Sequence, residues 1–280
     1  MRERVVLLDG GLATELERRG NDLSSALWSA RLVRDDPDEI VAVHRAFYAA
    51  GAEVATAASY QASFDRLGDE AETLLRRSVE LARRGGDGWV AASVGPYGAV
   101  LADGSEYRGD YGLSVAELRR FHRRRIGVLA DAGADVLAVE TIPCLAEVEA
   151  VLAELDDLGA PAWLSLTCLG RRTRAGEPAE EAFAMARDCA AVFAVGVNCT
   201  APGDVPDLVA LATARSGKPA VAYPNSGEIW GAARRAWSGR SAFDPADVQR
   251  WTDAGARLVG GCCRVGPADI ADLAEVISRR

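Results

Sequence analysis

The 280-residue chain is 49% hydrophobic and 26% charged, which suits one large α/β domain, or two ordinary ones, with a sizeable core. A net charge of -9 and a pI near 4.9 exclude the basic footprint that nucleic acid or an anionic membrane requires, so small molecules are the expected partners. No apolar run is long enough to span a bilayer and residues 1–9 lack a signal-peptide core, so a cytoplasmic protein is expected, its six cysteines reduced.

Residues 5–9 (Val5-Val6-Leu7-Leu8-Asp9) read as a buried strand that runs through Gly10-Gly11 into a helix over 12–19. A helix over 37–50 follows, with Asp36 as N-cap and Gly51 as stop. Then come a strand over 52–60, a helix over 69–84 and a strand over 89–95. Residues 96–113, rich in glycine, tyrosine and acids, form the largest loop-like insertion, and loops of that length are often functional. Beyond it helices at 115–132, 145–158, 179–190, 205–214, 245–254 and 268–278 alternate with strands at 136–140, 162–167, 192–198, 219–223 and 257–261.

This makes eight strands, each followed by helix. The joints Ala50-Gly51-Ala52, Ala132-Gly133-Ala134 and Ala254-Gly255-Ala256 repeat one helix-to-strand connection. A doubly wound sheet shares the alternation, but the count and length favour a single (β/α)8 TIM barrel over residues 1–280. Arg123-Arg124-Arg125 and Arg171-Arg172 read as a solvated helix face and a loop.

In such a barrel the site lies at the C-terminal ends of the strands. The single lysine, Lys218, precedes its strand, and the two histidines, His44 and His122, lie in helical segments, so Schiff-base chemistry and histidine-rich sites have little material. Cysteine remains. The run Val259-Gly260-Gly261-Cys262-Cys263 ends a strand in two thiols, and the glycines permit the turn that brings both to one side. Val195-Gly196-Val197-Asn198-Cys199 ends another strand in a third, two strands earlier in the barrel. Three thiols with one position open suit catalytic zinc, Zn2+, in preference to buried free cysteines. Cys144, Cys168 and Cys189 read as structural. Tyr60 and Asn198 also fall at strand ends and are candidate substrate contacts. Glu140 ends an apolar strand and needs a cation, either a substrate ammonium or a neighbouring arginine. The Asp9-Gly10-Gly11 turn offers backbone N–H groups to a substrate carboxylate.

Over nearly its whole length the chain resembles the homocysteine S-methyltransferases, and in particular the S-methylmethionine-using branch. The resemblance rests on an ordered set: Asp9-Gly10-Gly11, Leu27-Trp28-Ser29-Ala30, Ala58-Ser59-Tyr60-Gln61, Gly95-Pro96-Tyr97-Gly98, Glu106-Tyr107-Arg108-Gly109-Asp110-Tyr111, Glu140-Thr141-Ile142-Pro143, Gly196-Val197-Asn198-Cys199, Tyr223-Pro224-Asn225-Ser226 and Gly260-Gly261-Cys262-Cys263-Arg264. It implies a zinc-dependent barrel whose metal cysteines are Cys199, Cys262 and Cys263. Glu140 would then hold the ammonium of L-homocysteine, the Asp9-Gly10-Gly11 backbone its carboxylate, and Trp28 would face the cationic sulfonium methyl donor. Val265-Gly266 and residues 169–178 depart from the family's pattern, at the rim where the donor is chosen. The rivals are S-adenosylmethionine or betaine as donor, and a non-catalytic zinc or thiol-redox barrel.

Overall fold

The computed structural model describes residues 4–23, 28–231 and 236–279. Eight parallel strands form one sheet: Val6–Leu7, Val54–Thr56, Trp89–Val94, Val136–Ile142, Ala162–Leu166, Val192–Asn198, Ala220–Tyr223 and Ala256–Val259, here called the first to eighth. Neighbours in sequence are neighbours in the sheet, and the first strand pairs with the eighth. A parallel bridge between Leu8 and Val54 joins the first to the second and closes the barrel.

The strands are near-continuous apolar runs because both faces are covered. Inside, Leu8, Val54, Ala91, Val136, Ala138, Trp163, Ala194, Val221, Tyr223 and Leu258 fill the barrel. Outside, a larger apolar layer packs sheet against helices, with Ile40, Phe47, Leu75, Ile126, Val148, Leu155, Phe183 and Trp251 all buried. Among the described residues no helix is long and apolar enough to cross a membrane.

Several elements depart from their sequence patterns. The second strand stops at Thr56 instead of running to Tyr60, because Ser59 N–H turns back onto the Ala57 carbonyl (2.8 Å) and Ala62 N–H onto that of Ser59 (3.1 Å). The helix expected over 179–190 ends at Met185, and that over 245–254 begins as a 3-10 turn, Pro245–Asp247, before Val248–Asp253. Asp36 stands at the N-cap of Pro37–Ala49 but its side chain caps nothing. Helices Trp28–Asp35 and Phe64–Leu67 and the hairpins Cys168–Leu169/Arg172–Thr173 and Ile229–Gly231/Ala236–Ser238 have no counterpart in the sequence reading. The insertion over 96–113 is not bare loop, for it holds a helical turn, Tyr97–Leu101, and a 3-10 turn, Ser105–Tyr107.

Arg125 requires a correction. The helix Val115–Asp131 buries Leu118, His122, Arg125, Ile126 and Leu129, and Arg125 is fully buried, not part of a solvated face. Its guanidinium donates to the carbonyls of Gly95 (2.8 Å), Ser59 (3.0 Å) and Tyr60, thereby holding the ends of the second and third strands together. The other two arginines of the run do face outward. The signal was in the spacing: position 125 falls on the apolar stripe 118, 122, 126, 129.

Candidate metal centre and active site

The sixth strand ends at Asn198, which is completely buried. Its Oδ1 accepts from Thr141 N–H (2.7 Å) and Ser165 Oγ (2.8 Å), and its Nδ2 donates to Thr141 Oγ1 (2.8 Å). Asn198 therefore braces three strand ends, and its one approach to the thiols is Nδ2 at 3.9 Å from Cys262 Sγ. The backbone then swings into the left-handed region at Cys199 (φ 47°), as it does at Thr141 (φ 62°) and Arg264 (φ 70°). Each such residue costs about 1–3 kcal/mol. That three cluster at one mouth marks a site where geometry is held against local preference.

The eighth strand delivers the other two thiols through a tight turn. A Cβ on Gly261 would lie 2.1 Å from Val265 Cγ1, and one on Gly11 would lie 2.6 Å from the Cys262 carbonyl oxygen, so neither position tolerates a side chain. Cys262 N–H donates to the Pro224 carbonyl (2.8 Å) and Cys263 N–H to Asn225 Oδ1 (3.1 Å), which locks the turn to the end of the seventh strand. The three sulfurs converge: Cys199 Sγ lies 2.7 Å from that of Cys262 and 3.9 Å from that of Cys263, and all three lie within 4.8 Å of one another.

Three thiolates at about 2.3 Å around a tetrahedral zinc stand about 3.8 Å apart. The 3.9 Å edge matches, while the 2.7 Å edge must open by about 1 Å. The donor set is soft, partly buried and three in number among the described residues, which leaves a fourth tetrahedral position to a substrate, so the residues fit a catalytic zinc. Hydrogen bonds from Cys199 and Cys262 hold the Cys263 thiol well below the ordinary range, and hydrogen bonding to Cys199 and Cys263 pushes that of Cys262 up. No histidine competes for the role. His44 is buried, its pKa driven down to about 4 by desolvation, and His122 Nε2 pairs with Glu147 Oε1 at 2.8 Å.

Two carboxylates lie near the thiols. Burial raises Glu140 to about 7, against hydrogen bonds from Ser93 Oγ and the Tyr223 hydroxyl, which itself accepts from Trp163 Nε1 (3.0 Å). Among the described residues no arginine or lysine forms an ion pair with Glu140; Arg125 attracts it but gives its hydrogen bonds to backbone carbonyls. Asp9 is likewise pushed to about 7 by burial, although Thr56 donates to it from N–H (2.7 Å) and Oγ1 (2.9 Å). The Asp9 carboxylate thus ties the first strand to the second. In the turn that follows, Gly11 N–H is taken by the Val265 carbonyl (2.8 Å), whereas Gly10 N–H has no acceptor among the described residues. Of the two glycine N–H groups, the free donor is that of Gly10.

Tyr60 stands beside Thr141 and Cys199, its phenol held protonated by burial. Trp28 opens the helix Trp28–Asp35, but its side chain lies outside the described residues. Cys144, Cys168 and Cys189 are buried and free, and desolvation pushes the first two thiols to about 12.

Three residues at the mouth had no role in the sequence reading. The Tyr107 phenol lies beside Cys199 and Cys263 and favours their thiolates. Arg174, from the hairpin side, stacks on the Tyr107 ring at 5.3 Å and donates to Thr167 Oγ1 at 3.2 Å. Glu106 adjoins Tyr107 and is raised to about 7 by burial. Beyond Tyr107 and Arg174 opens a cavity of about 540 Å³, lined also by Arg108, Tyr111, Cys144 and Glu177.

With this geometry in place, comparison with known proteins is direct. The family model for homocysteine S-methyltransferase matches residues 6–277. The chain is 40% identical over 294 residues to homocysteine S-methyltransferase YbgG of Bacillus subtilis, covering 96% of this chain and 93% of that protein. To the selenocysteine methyltransferase of Astragalus bisulcatus it is 39% identical over 314 residues, covering 98% and 93%. The crystal structure of the homocysteine methyltransferase MmuM from Escherichia coli, in its metallated form, superposes with a TM-score of 0.86 at 40% identity, covering 100% of this chain and 97% of that one.

Proposed function

The chain belongs to the homocysteine S-methyltransferase family, and from that premise we propose that it methylates L-homocysteine from a sulfonium donor, S-methylmethionine, at zinc held by Cys199, Cys262 and Cys263. The observation that carries the reading is the convergence of three thiols within 4.8 Å at the barrel mouth, with no fourth His, Cys, Asp or Glu ligand among the described residues. When bound there, zinc supplies a Lewis acid that keeps the homocysteine thiol ionised at neutral pH.

The chain's own residues provide position and charge. Glu140, buried without a cation, receives the homocysteine ammonium and is ionised by its arrival. Gly10 N–H is available for the carboxylate, so the amino acid is held at both ends with its sulfur towards the cysteines. Trp28 and Tyr60 are assigned to the donor side, where an aromatic face attracts a sulfonium. Asn198 serves the substrate indirectly, by fixing Thr141 and the end of the sixth strand. In the transfer, the homocysteine sulfur forms a bond to the methyl carbon as the donor's S–CH3 bond breaks. The bonding pair stays on the donor sulfur, which leaves as a neutral thioether, and the thiol proton goes to solvent. With S-methylmethionine both products are methionine.

The test uses reduced, zinc-loaded protein, L-homocysteine carrying 13C in its backbone, and methyl-deuterated S-methylmethionine or S-adenosylmethionine in parallel. Methionine bearing both labels arises only by transfer and is read by mass spectrometry. The expected result is homocysteine-dependent double label, faster from S-methylmethionine. Zinc-loaded protein that produces none from either donor overturns the reading.

A further inference from the structure

Outside the acceptor site, the mouth holds one more carboxylate, on a half-buried residue, with one oxygen buried and unpartnered. Glu106 sits on the 3-10 turn Ser105–Tyr107, and this turn is rigidly placed. A Cβ on Gly98 would fall 2.4 Å from Glu106 N, so the helical turn Tyr97–Leu101 is seated directly on it. Asp103 Oδ1 accepts from Ser105 N–H at 2.9 Å and closes the turn. The next residue, Tyr107, reaches Cys199 and Cys263 through its phenol, so Glu106 enters the site on the same support. Its charge is felt by Cys199, Cys263 and Tyr60.

Glu106 Oε2 is buried and has no hydrogen-bond partner, and Glu106 forms no ion pair among the described residues. The cation that attracts it, Arg108, gives its hydrogen bonds elsewhere. Arg108 donates to Ser105 Oγ (2.7 Å) and to Asp103 Oδ2 (3.3 Å), on the outer side of the turn. A carboxylate oxygen buried without a partner is costly, and placing it beside a cluster of thiols that become thiolates with metal makes it costlier. Such an arrangement persists where a cation arrives to offset it.

We infer that Glu106 is the specificity-determining residue for the methyl donor, the anion that receives the positive charge of a sulfonium substrate. This rests on the sulfonium-donor reading above and deepens it. Glu140 takes the cation of the acceptor and Glu106 that of the donor, so the two carboxylates sort two amino-acid-like substrates at one metal. Because the sulfonium loses its charge as the methyl leaves, the attraction is stronger in the ground state than in the transition state. Glu106 therefore acts on donor KM more than on kcat.

The test is steady-state kinetics of zinc-loaded wild type, Glu106→Gln and Glu106→Asp with S-methylmethionine, and in parallel with iodomethane, an uncharged methyl source for the same homocysteine sulfur. In Glu106→Gln the donor KM rises about 30-fold or more, with kcat changing less than KM. The preference for sulfonium over iodomethane falls by the same factor, and Glu106→Asp recovers part of it. A donor KM within threefold of wild type in Glu106→Gln overturns the inference and leaves the sulfonium reading standing. An equal loss with iodomethane also overturns it, since Glu106 would then act through the thiols. If wild type reacts with iodomethane but with no sulfonium, the donor reading falls and this inference with it.

Discussion

The two ends of the barrel treat charge in opposite ways. At the floor, where the strands begin, Lys218, Asp135 and Glu53 are each matched to backbone or to a counter-ion. Lys218 Nζ donates to the carbonyls of Cys189 (2.6 Å) and Val192 (2.5 Å), and Asp135 accepts from Val90 N–H and Arg83 Nη2, each at 2.7 Å. Glu53 accepts from Leu7 N–H and pairs with Arg4. At the mouth, Asp9, Glu106 and Glu140 are each raised to about 7 by burial, and among the described residues none forms an ion pair. The buried cation beside them, Arg125, is committed to carbonyls. Floor charges complete the fold, as does Asp9 through Thr56, whereas Glu106 and Glu140 lack a counter-ion among the described residues, as the proposed cationic substrates would require.

The sharpest way to break this contrast is at the metal. Cys262→Ser should abolish zinc retention and lower kcat/KM for methyl transfer by about 10³-fold or more, read by metal content and doubly labelled methionine. Full zinc and full turnover in that variant would falsify the ligand assignment. Next in size is Arg125→Met, which leaves three strand-end carbonyls without their donor and should cost about 3 kcal/mol or more of stability in urea. Its donor KM should rise as well, because two of those carbonyls belong to Ser59 and to Tyr60, which is assigned to the donor side. Wild-type stability would return Arg125 to the solvated face that the sequence suggested.

Arg125 also shows where sequence reading stops. Strands ending at Asn198 and before Cys262 were legible because apolar runs and glycine mark them directly, and the helix Leu145–Leu158 shows its full period. Convergence of the sulfurs followed from strand order alone. Arg125 was misread because residue type overrode spacing. The insertion over 96–113 carries no apolar period, so the turn Ser105–Tyr107 that brings Glu106 and Tyr107 to the thiols is visible only in three dimensions. Hairpin strands of two residues, as at Cys168–Leu169, are too short to leave a pattern, and with them went Arg174.

Glu140→Gln separates the two roles of a mouth carboxylate. In wild type, burial lifts Glu140 to about 7, so between about 4.5 and about 7 the native protein holds a proton that the unfolded chain has released. Stability from that proton is present below about 4.5 and lost as pH rises towards 7. Without substrate or metal, Glu140→Gln should therefore be more stable than wild type at pH 8 by about 1–3 kcal/mol, with the advantage shrinking towards pH 5. Its homocysteine KM should rise about 30-fold or more. The wild-type KM should fall from pH 6 to pH 8 more steeply than that of the variant, which keeps only the pH dependence of thiol ionisation. A variant less stable than wild type at pH 8 would mean that Glu140 already has its partner.

The smallest effect should come from Lys218→Met, and its interest lies in what does not change. Lys218 closes the floor beneath the sixth strand, the same strand whose far end carries Asn198 into Cys199. Losing the ammonium strands the carbonyls of Cys189 and Val192 and should cost about 1–2 kcal/mol in urea. At about 3.3 Å per residue the seven residues of Val192–Asn198 separate that damage from the thiols by about 20 Å. The strand between is packed on both faces, and Asn198 is anchored independently to Thr141 and Ser165. Zinc content, kcat and both substrate KM values should therefore stay within about twofold of wild type, as expected for a surface-facing change far from a rigid site. A larger change in either KM would show that the sixth strand transmits strain from floor to mouth, and the two ends would then have to be treated as one coupled system.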